Sequence, residues 1–427
     1  MLDLNFLRDN LDAVLLNVKN RHMTADPHEA LRLAEERSRL LQTLEARRAA
    51  RNENAGKMKG KLEPEVRTSL IEEGRQLKEA IATLEEELAK VEESFKKAMM
   101  SLPNMAHPDA PVGKLEGDNL EIKRVGIPTT FDFAPLDHVQ LGENLDIIDF
   151  EAGTKVSGTK FYFLKNEGVF LELGLVRYAL DLLTKKGFTP LITPDIAKEE
   201  VLAGIGFNPR GEESNIYPLE GTGTCLVGTA EITLGGYYSE EILDLSHGPI
   251  KMAGVSHCFR REAGAHGQFS KGLYRVHQFT KVEMFVYCRP EESDALHEEL
   301  RGLEEELFTS LQIPFRVVDT CTGDLGAPAY RKYDLEAWMP GRGEGGDWGE
   351  ITSTSNCTDF QARRLGIRYK DEAGRNRPVH MLNGTAVAVS RAIVAILENF
   401  QQKDGSVRLP PALVPYCGFE VIKPRKA

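Results

Sequence analysis

No apolar run in the sequence is long enough to span a bilayer. The opening Met1-Leu2-Asp3-Leu4-Asn5 lacks the basic start and apolar core of a signal peptide, and it is not Arg/Ser-rich like a transit peptide. These absences predict a cytoplasmic protein without a membrane partner, or one from an organellar matrix or stroma if a transit peptide has been removed. No pair among the six cysteines has CxxC spacing, so free thiols are expected, with no zinc ribbon and no disulfide frame. There is no GxGxxG, and Lys271-Gly272 does not make a Walker A motif, which argues against nucleotide binding on a Rossmann or P-loop fold. Excess positive charge is also missing. The net charge of −12 argues against a nonspecific nucleic-acid binder, and no DNA partner is expected, but it leaves room for a local basic surface.

What is present divides into two compositions. From Pro27 to Ser101 aromatics nearly vanish, and Leu, Glu, Lys, Arg and Ala dominate. Leu77, Ile81, Leu84, Leu88, Val91 and Phe95 alternate four and three residues apart, the seam of a coiled coil. Leu33, Leu40 and Leu44 offer a partner seam. Gly60 and Pro64 lie between, and so short a connection forces the two helices antiparallel. The expectation is a helical hairpin over about residues 27–101, within an N-terminal domain of residues 1–112 that begins with a short amphipathic helix. The seam degrades toward the turn, where Arg47, Arg48, Arg51, Lys57, Lys59 and Lys61 gather against Glu53 alone. Such a tip attracts a phosphate backbone without reading sequence, although a solvated arm for packing would carry similar charge.

A Pro/Gly-rich linker, Leu102 to Gly113, leads to the second domain, residues 113–427. Short strands mix there with helices in no regular βαβ order, so an α+β body on an antiparallel sheet is expected. Its densest stretch runs from Phe259 to Phe285. Lys281-Val282-Glu283-Met284-Phe285-Val286-Tyr287 alternates polar and apolar residues, a strand period, and the stretch reads as two antiparallel strands joined by a long loop with Gly264, Gly267 and Gly272. Arg275, Phe279 and Glu283 follow at intervals of four, which places them on one sheet face, and Arg260 and Glu262 share a face likewise. Guanidinium groups to hold phosphate and a ring to stack on a base fit a nucleotide. A solvated hairpin with cross-strand ion pairs would use the same residue types.

Phe259-Arg260-x-Glu262, the loop and Arg275-x-x-x-Phe279 resemble the second signature motif of class II aminoacyl-tRNA synthetases. Gly272-Leu273-Tyr274-Arg275-Val276-His277-Gln278-Phe279 is similar to the seryl-tRNA synthetases of bacterial or organellar type. Gly187 to Pro194, after a helix from Val169 to Lys186, resembles the first motif, which builds a dimer interface. Thr229-Ala230-Glu231 resembles the Thr-x-Glu element that holds the amino acid. Gly349 to Arg364 resembles the family's magnesium-site sequence. Leu382 to Arg391 resembles the third motif, with Ala386 and Ala388 where glycines are usual and Thr385 where serine is common. The stretch Gly341 to Trp348, glycine-rich with Asp347, is longer than the resemblance requires and has no physical account at the level of sequence.

The resemblance implies a class II catalytic domain with an N-terminal coiled-coil arm, and a homodimer that charges tRNA(Ser), and any selenocysteine tRNA, with L-serine. It implies Arg260, Glu283 and Arg391 as catalytic residues. Thr229, Ala230, Glu231, Arg260, Glu283 and Thr385 would bind serine. Arg260, Arg261, Glu262, Val276, Phe279, Glu350, Ile351, Thr352, Ser353 and Arg391 would bind ATP, with Mg²⁺ on Glu350 and Ser353, and the basic arm tip would bind tRNA. Two rival classes share these motifs. A ligase loading a carrier protein would need no basic-tipped arm, and a silent paralogue would not need Arg260, Glu283, Glu350 and Arg391 together.

Overall fold

The computed structural model describes residues 1–207, 215–262 and 271–425. The chain forms two compact units, Met1–Met105 and Ala106–Ala427, so the division falls before the expected boundary at residue 112.

The first unit begins with two short helices, α1 (Leu4–Asp9) and α2 (Leu11–Asn20), where one was expected. The Asp3 side chain caps α1 and that of Asp26 caps α3, each accepting two backbone N–H groups that a helix start leaves without partners. The hairpin consists of α3 (Pro27–Lys57) and α4 (Pro64–Ser101), each with proline in its first turn, where no N–H is needed. Leu40, Leu44, Ile81 and Leu88 are buried along the seam, with Leu84 and Val91 packed beside them. Toward the turn the apolar seam gives way to Asn54, buried and donating to Glu73 at 2.8 Å. Gly74 lies against Asn54, which a Cβ there would approach at 3.2 Å.

The second unit is built on a sheet with eight strands among the described residues: β1 (Leu120–Val125), β2 (Thr189–Ile192), β3 (Ile250–Phe259), β4 (Gln278–Cys288), β5 (Phe315–Asp319), β6 (Arg331–Met339), β7 (Asp347–Asn356) and β8 (His380–Ala388). Their spatial order is β1-β5-β6-β7-β8-β4-β3-β2. All pairings are antiparallel except the β2–β3 edge, which is parallel. Four helices matter to the site: α5 (Glu167–Lys185), α6 (Ala230–Gly236), α7 (Ser293–Ser310) and α8 (Val389–Asn399). One apolar core joins α5, α7 and α8 to the sheet, and a second, around Phe285, Tyr287 and Ile232, joins α6 to it. Among the described residues no helix is long and apolar enough to cross a membrane, and all six cysteines are buried and unbridged.

Two register shifts aim side chains. Val282 pairs with Val387 but Glu283 with Thr385, so Ala386 is the extra residue of a bulge. Leu335 pairs with Thr352 but Glu336 with Glu350, which makes Ile351 extra on β7. A regular strand would send Glu350 and Ser353, three residues apart, to opposite faces, and the second bulge brings them to one.

Candidate active site

A cleft of about 140 Å³ opens on one face of the central strands. β4 supplies Phe279, Lys281 and Glu283, at alternate positions of one pleat. β8 supplies Asn383 and Thr385, and β7 supplies Glu350 through Ser353. Arg391 enters from the first turn of α8, and Thr229 and Glu231 from the start of α6, where the Thr229 hydroxyl accepts the Glu231 N–H at 3.1 Å. Arg260, Glu262, Tyr274, Arg275 and Val276 come from the ends of the β3–β4 connection. A roomier hollow of about 400 Å³ adjoins the cleft along α5, lined by Phe161, Phe163, Val169 and Leu173 with Glu172 as its sole carboxylate. Converging charge, and not volume, singles out the smaller cleft.

Three polar groupings organise it. At one end, buried Lys281 and Glu283 form an ion pair at 2.5 Å, and the Thr385 hydroxyl donates to Glu283 at 3.3 Å. That contact exists because the β8 bulge puts Thr385 opposite Glu283. Beside it, one oxygen of Glu231 accepts from both Gln361 (2.9 Å) and Asn383 (3.0 Å). Desolvation, with Glu283 adding repulsion, pushes the Glu231 carboxyl up to about 7, against the pull of Gln361, Lys281 and Arg260. At the other end Arg391 pairs with Glu350 at 3.1 Å. Burial alone would raise the Glu350 carboxyl, but Arg391 and Lys332 hold it at about 2, so it is ionised at any physiological pH. Between the ends, the Arg260 guanidinium lies 5.4 Å from the centre of the Phe279 ring, and Arg275 pairs with Glu262 at 3.2 Å. Glu262 takes a positive φ of 48°, an uncommon conformation for a residue with a Cβ. This arrangement can hold a polyanion beside a flat ring, and a small ammonium-bearing molecule against Glu231 and Glu283.

The tRNA synthetase class II core domain (G, H, P, S and T) matches residues 220–400, and the seryl-tRNA synthetase N-terminal domain matches residues 1–106. A Treponema denticola protein named serine–tRNA ligase is 66% identical over 422 residues, covering 99% of this chain and 100% of its own. The chain belongs to the seryl-tRNA synthetase family. A Borreliella burgdorferi serine–tRNA ligase is 54% identical to this synthetase over 99% of both chains. The seryl-tRNA synthetase of Pyrococcus horikoshii, solved in complex with ATP, matches the whole fold with a TM-score of 0.90 and 42% identity, each chain covered completely. The cytoplasmic enzyme of Naegleria fowleri, solved with AMP, matches with a TM-score of 0.86 and 32% identity over 100% of this chain and 99% of its own.

The synthetase brings most of the expected site residues into this one cleft, and two lie outside its lining. Ala230 is wholly buried in the first turn of α6, and Arg261 is exposed, its N–H donating to the Asn215 carbonyl. Arg275 precedes β4 instead of standing on it, so it reaches the cleft from the loop and not from the pleat. Gly264 and Gly267 of the expected loop lie outside the described residues. The charge count at the arm tip needs a correction, because it considered one helix. Arg48 pairs with Glu85 of α4 at 2.6 Å, while the pairing of Lys57 with Glu53 at 2.8 Å is the one opposition already counted. Sequence reasoning missed Lys281, Tyr274, Asn383 and Gln361. Lys281 was accessible to it, lying midway between Phe279 and Glu283 on the same pleat. The other three owe their places to distant parts of the chain.

Proposed function

We infer that this one cleft carries both steps of serine–tRNA ligation. The enzyme activates L-serine with ATP to seryl-adenylate, then transfers the seryl group to the 3′ end of tRNA(Ser). What supports the reading best is the convergence of Arg260, Phe279, Glu350 and Arg391 with the Glu283–Thr385 pair in one cleft of a chain of this family. The serine carboxylate is ionised at neutral pH, so no general base is needed for the first step. A carboxylate oxygen bonds to the α-phosphorus as the bond to the β-phosphate oxygen breaks, and pyrophosphate leaves. In the second step the terminal ribose hydroxyl of tRNA attacks the acyl carbon, AMP leaves and the hydroxyl proton is released. Catalysis rests on positioning and charge neutralisation.

Arg260 holds the α-phosphate and the serine carboxylate, Phe279 stacks on the adenine, and Glu262 faces its amino group. Arg391 meets the γ-phosphate. Glu231 and Thr229 receive the serine ammonium, and Glu283 with Thr385 reads the hydroxyl. Alanine leaves that polar pair unmatched and is refused strongly, whereas threonine must be refused by shape. The described lining holds four cations (Arg260, Arg275, Lys281 and Arg391) and four carboxylates (Glu231, Glu262, Glu283 and Glu350). A triphosphate therefore meets a cleft with no formal surplus of positive charge.

Mg²⁺ fits that deficit. No group of three or more His, Cys, Asp or Glu converges among the described residues. Magnesium on a nucleotide needs only one or two protein oxygens beside phosphates and water. An ionised Glu350 carboxylate and the Ser353 hydroxyl, brought to one face by the β7 bulge, supply that donor set. When bound, the ion neutralises phosphate charge.

The reaction is placed in the cytoplasm, in a homodimer. In support of the dimer, β2 is an edge strand with Ile192 89% exposed, and Phe163, Val169, Phe170 and Leu173 are exposed around α5. An uncovered edge beside an apolar patch calls for a partner. The basic arm tip, through Arg47, Arg51, Lys59 and Lys61, contacts the tRNA backbone. Charging of total tRNA with labelled serine, alanine and threonine tests the whole reading. Serine alone should be incorporated, and only into tRNA(Ser) and any selenocysteine tRNA. Incorporation of another amino acid, or none, overturns it.

A further inference from the structure

The turn between β6 and β7 is held by more contacts than a surface hairpin needs. At its start the Gly341 N–H donates to Glu398 at 2.8 Å. Glu398 sits on α8, about two turns beyond Arg391. Its other carboxylate oxygen meets the His138 ring at 2.7 Å and accepts the His138 N–H at 3.1 Å, both groups buried. At its base the cross-strand neighbours Trp338 and Trp348 meet edge to face at 5.3 Å. Gly346 has a φ of +92°, and a Cβ there would fall 2.4 Å from the Trp338 ring, so only glycine fits.

This anchored turn aims Arg342 inward. Its side chain is 16% exposed, and its guanidinium lies 4.7 Å from the centre of the Tyr274 ring. Arg391 lies 4.8 Å from the same ring. Tyr274 braces the Arg391–Glu350 end of the nucleotide cleft. Its carbonyl accepts from the Arg391 Nε at 3.4 Å, and its hydroxyl donates to the Glu350 carbonyl at 3.2 Å. That Glu350 carbonyl also accepts from Arg391 at 3.0 Å. Tyr274 lines the nucleotide cleft, and Arg342 does not. Arg342 lines a neighbouring cavity of about 320 Å³, with Tyr274 common to both. Arg342 reaches the cleft most directly through Tyr274, and it also lies against Gly349, the residue before Glu350.

We propose that Arg342 is a positioning residue for the nucleotide: by stacking on Tyr274 it fixes the Arg391–Glu350 geometry that the triphosphate requires. The proposal rests on the assignment of this cleft to ATP. It also gives Gly341 to Trp348 a purpose, since glycines fold the turn and the turn delivers one guanidinium. Arginine is needed because a planar, delocalised cation stacks on a ring where an ammonium does so poorly.

The test is serine-dependent ATP–pyrophosphate exchange on the full-length enzyme, with KM measured separately for ATP and for serine, alongside a melting curve. Arg342→Ala should raise the ATP KM about tenfold and change the serine KM less than about twofold, the size of effect one partly desolvated cation–π contact permits. Arg342→Lys should fall between. The double variant of Arg342→Ala with Tyr274→Leu should be no worse than Tyr274→Leu alone, because both remove one link. An unchanged ATP KM in Arg342→Ala overturns the proposal. So does a lowered melting temperature with both KM values rising together, the mark of a merely structural role. Arg391→Ala separates the two levels. If it too leaves ATP dependence unchanged, the assignment of the cleft to ATP has failed. If it cripples exchange while Arg342→Ala does nothing, only the positioning role is lost.

Discussion

Along the arm, ionisable side chains stand in water. Arg32 pairs with Glu29 and Glu36, Arg75 with Glu72 and Lys90 with Glu86, each within one turn and largely exposed. In the body, Lys281 and Glu283 lie under the protein surface, Glu231 is half-buried, and Glu350 shares a cleft with Arg391. Exposed pairs are screened and contribute little, so the arm can trade them freely. Buried charges are costly to desolvate, and nothing about folding requires them on this sheet. In the cleft several such groups converge on one open cavity, where a charged ligand can meet them.

The comparison predicts effects that shrink from body to arm. Arg391→Ala should lower the rate of adenylate formation by about 10²–10³, as loss of one preorganised donor does at such sites. A single-turnover assay measures it, and a loss below tenfold would remove Arg391 from the phosphate site. Glu283→Ala should reduce serine activation by about 10² while the ATP KM stays within about threefold, because one buried polar partner is left unmatched. Unchanged pyrophosphate exchange with serine would mean that another group reads the hydroxyl.

At the tip, reversing Arg47, Arg51, Lys59 and Lys61 to glutamate should weaken tRNA binding by about tenfold or more and flatten its salt dependence. Adenylate formation should not change. An unaltered salt slope would place tRNA elsewhere. The last effect, one of pH, returns to the body. Glu231 must be ionised to receive an ammonium, and its carboxyl sits at about 7 in the folded protein, above the usual carboxylate range. The ionised form is complete above that value and is lost as pH falls through it. The serine KM should therefore rise below pH 7, by up to about tenfold per unit, and Glu231→Gln should abolish that trend. Glu350, held at about 2, adds no pH dependence across the same range.

The arm was legible from period alone. Leu77, Ile81 and Leu88 are buried where the seam puts them, Gly60 lies in the turn and Pro64 opens the second helix. The body was legible in another way, through short words whose members fall in one cleft. Period fails there at the points that matter. A strict pleat would separate Glu350 from Ser353 and set Ala386 opposite Glu283, and nothing local in the sequence announces the two bulges that prevent this. Phe279 and Glu283 were found by their spacing, and Lys281 between them was passed over because no motif names it. Tyr274, Asn383 and Gln361 act through partners 76 to 152 residues away, which only the closed sheet reveals.

The most direct measurement is ATP–pyrophosphate exchange by the purified protein with each of the twenty amino acids in turn. Serine should drive exchange, with alanine slower by about 10² or more because it offers no hydroxyl to Glu283 and Thr385. Exchange driven equally by alanine, or by an amino acid without a hydroxyl in preference to serine, would contradict a cleft built around that buried pair.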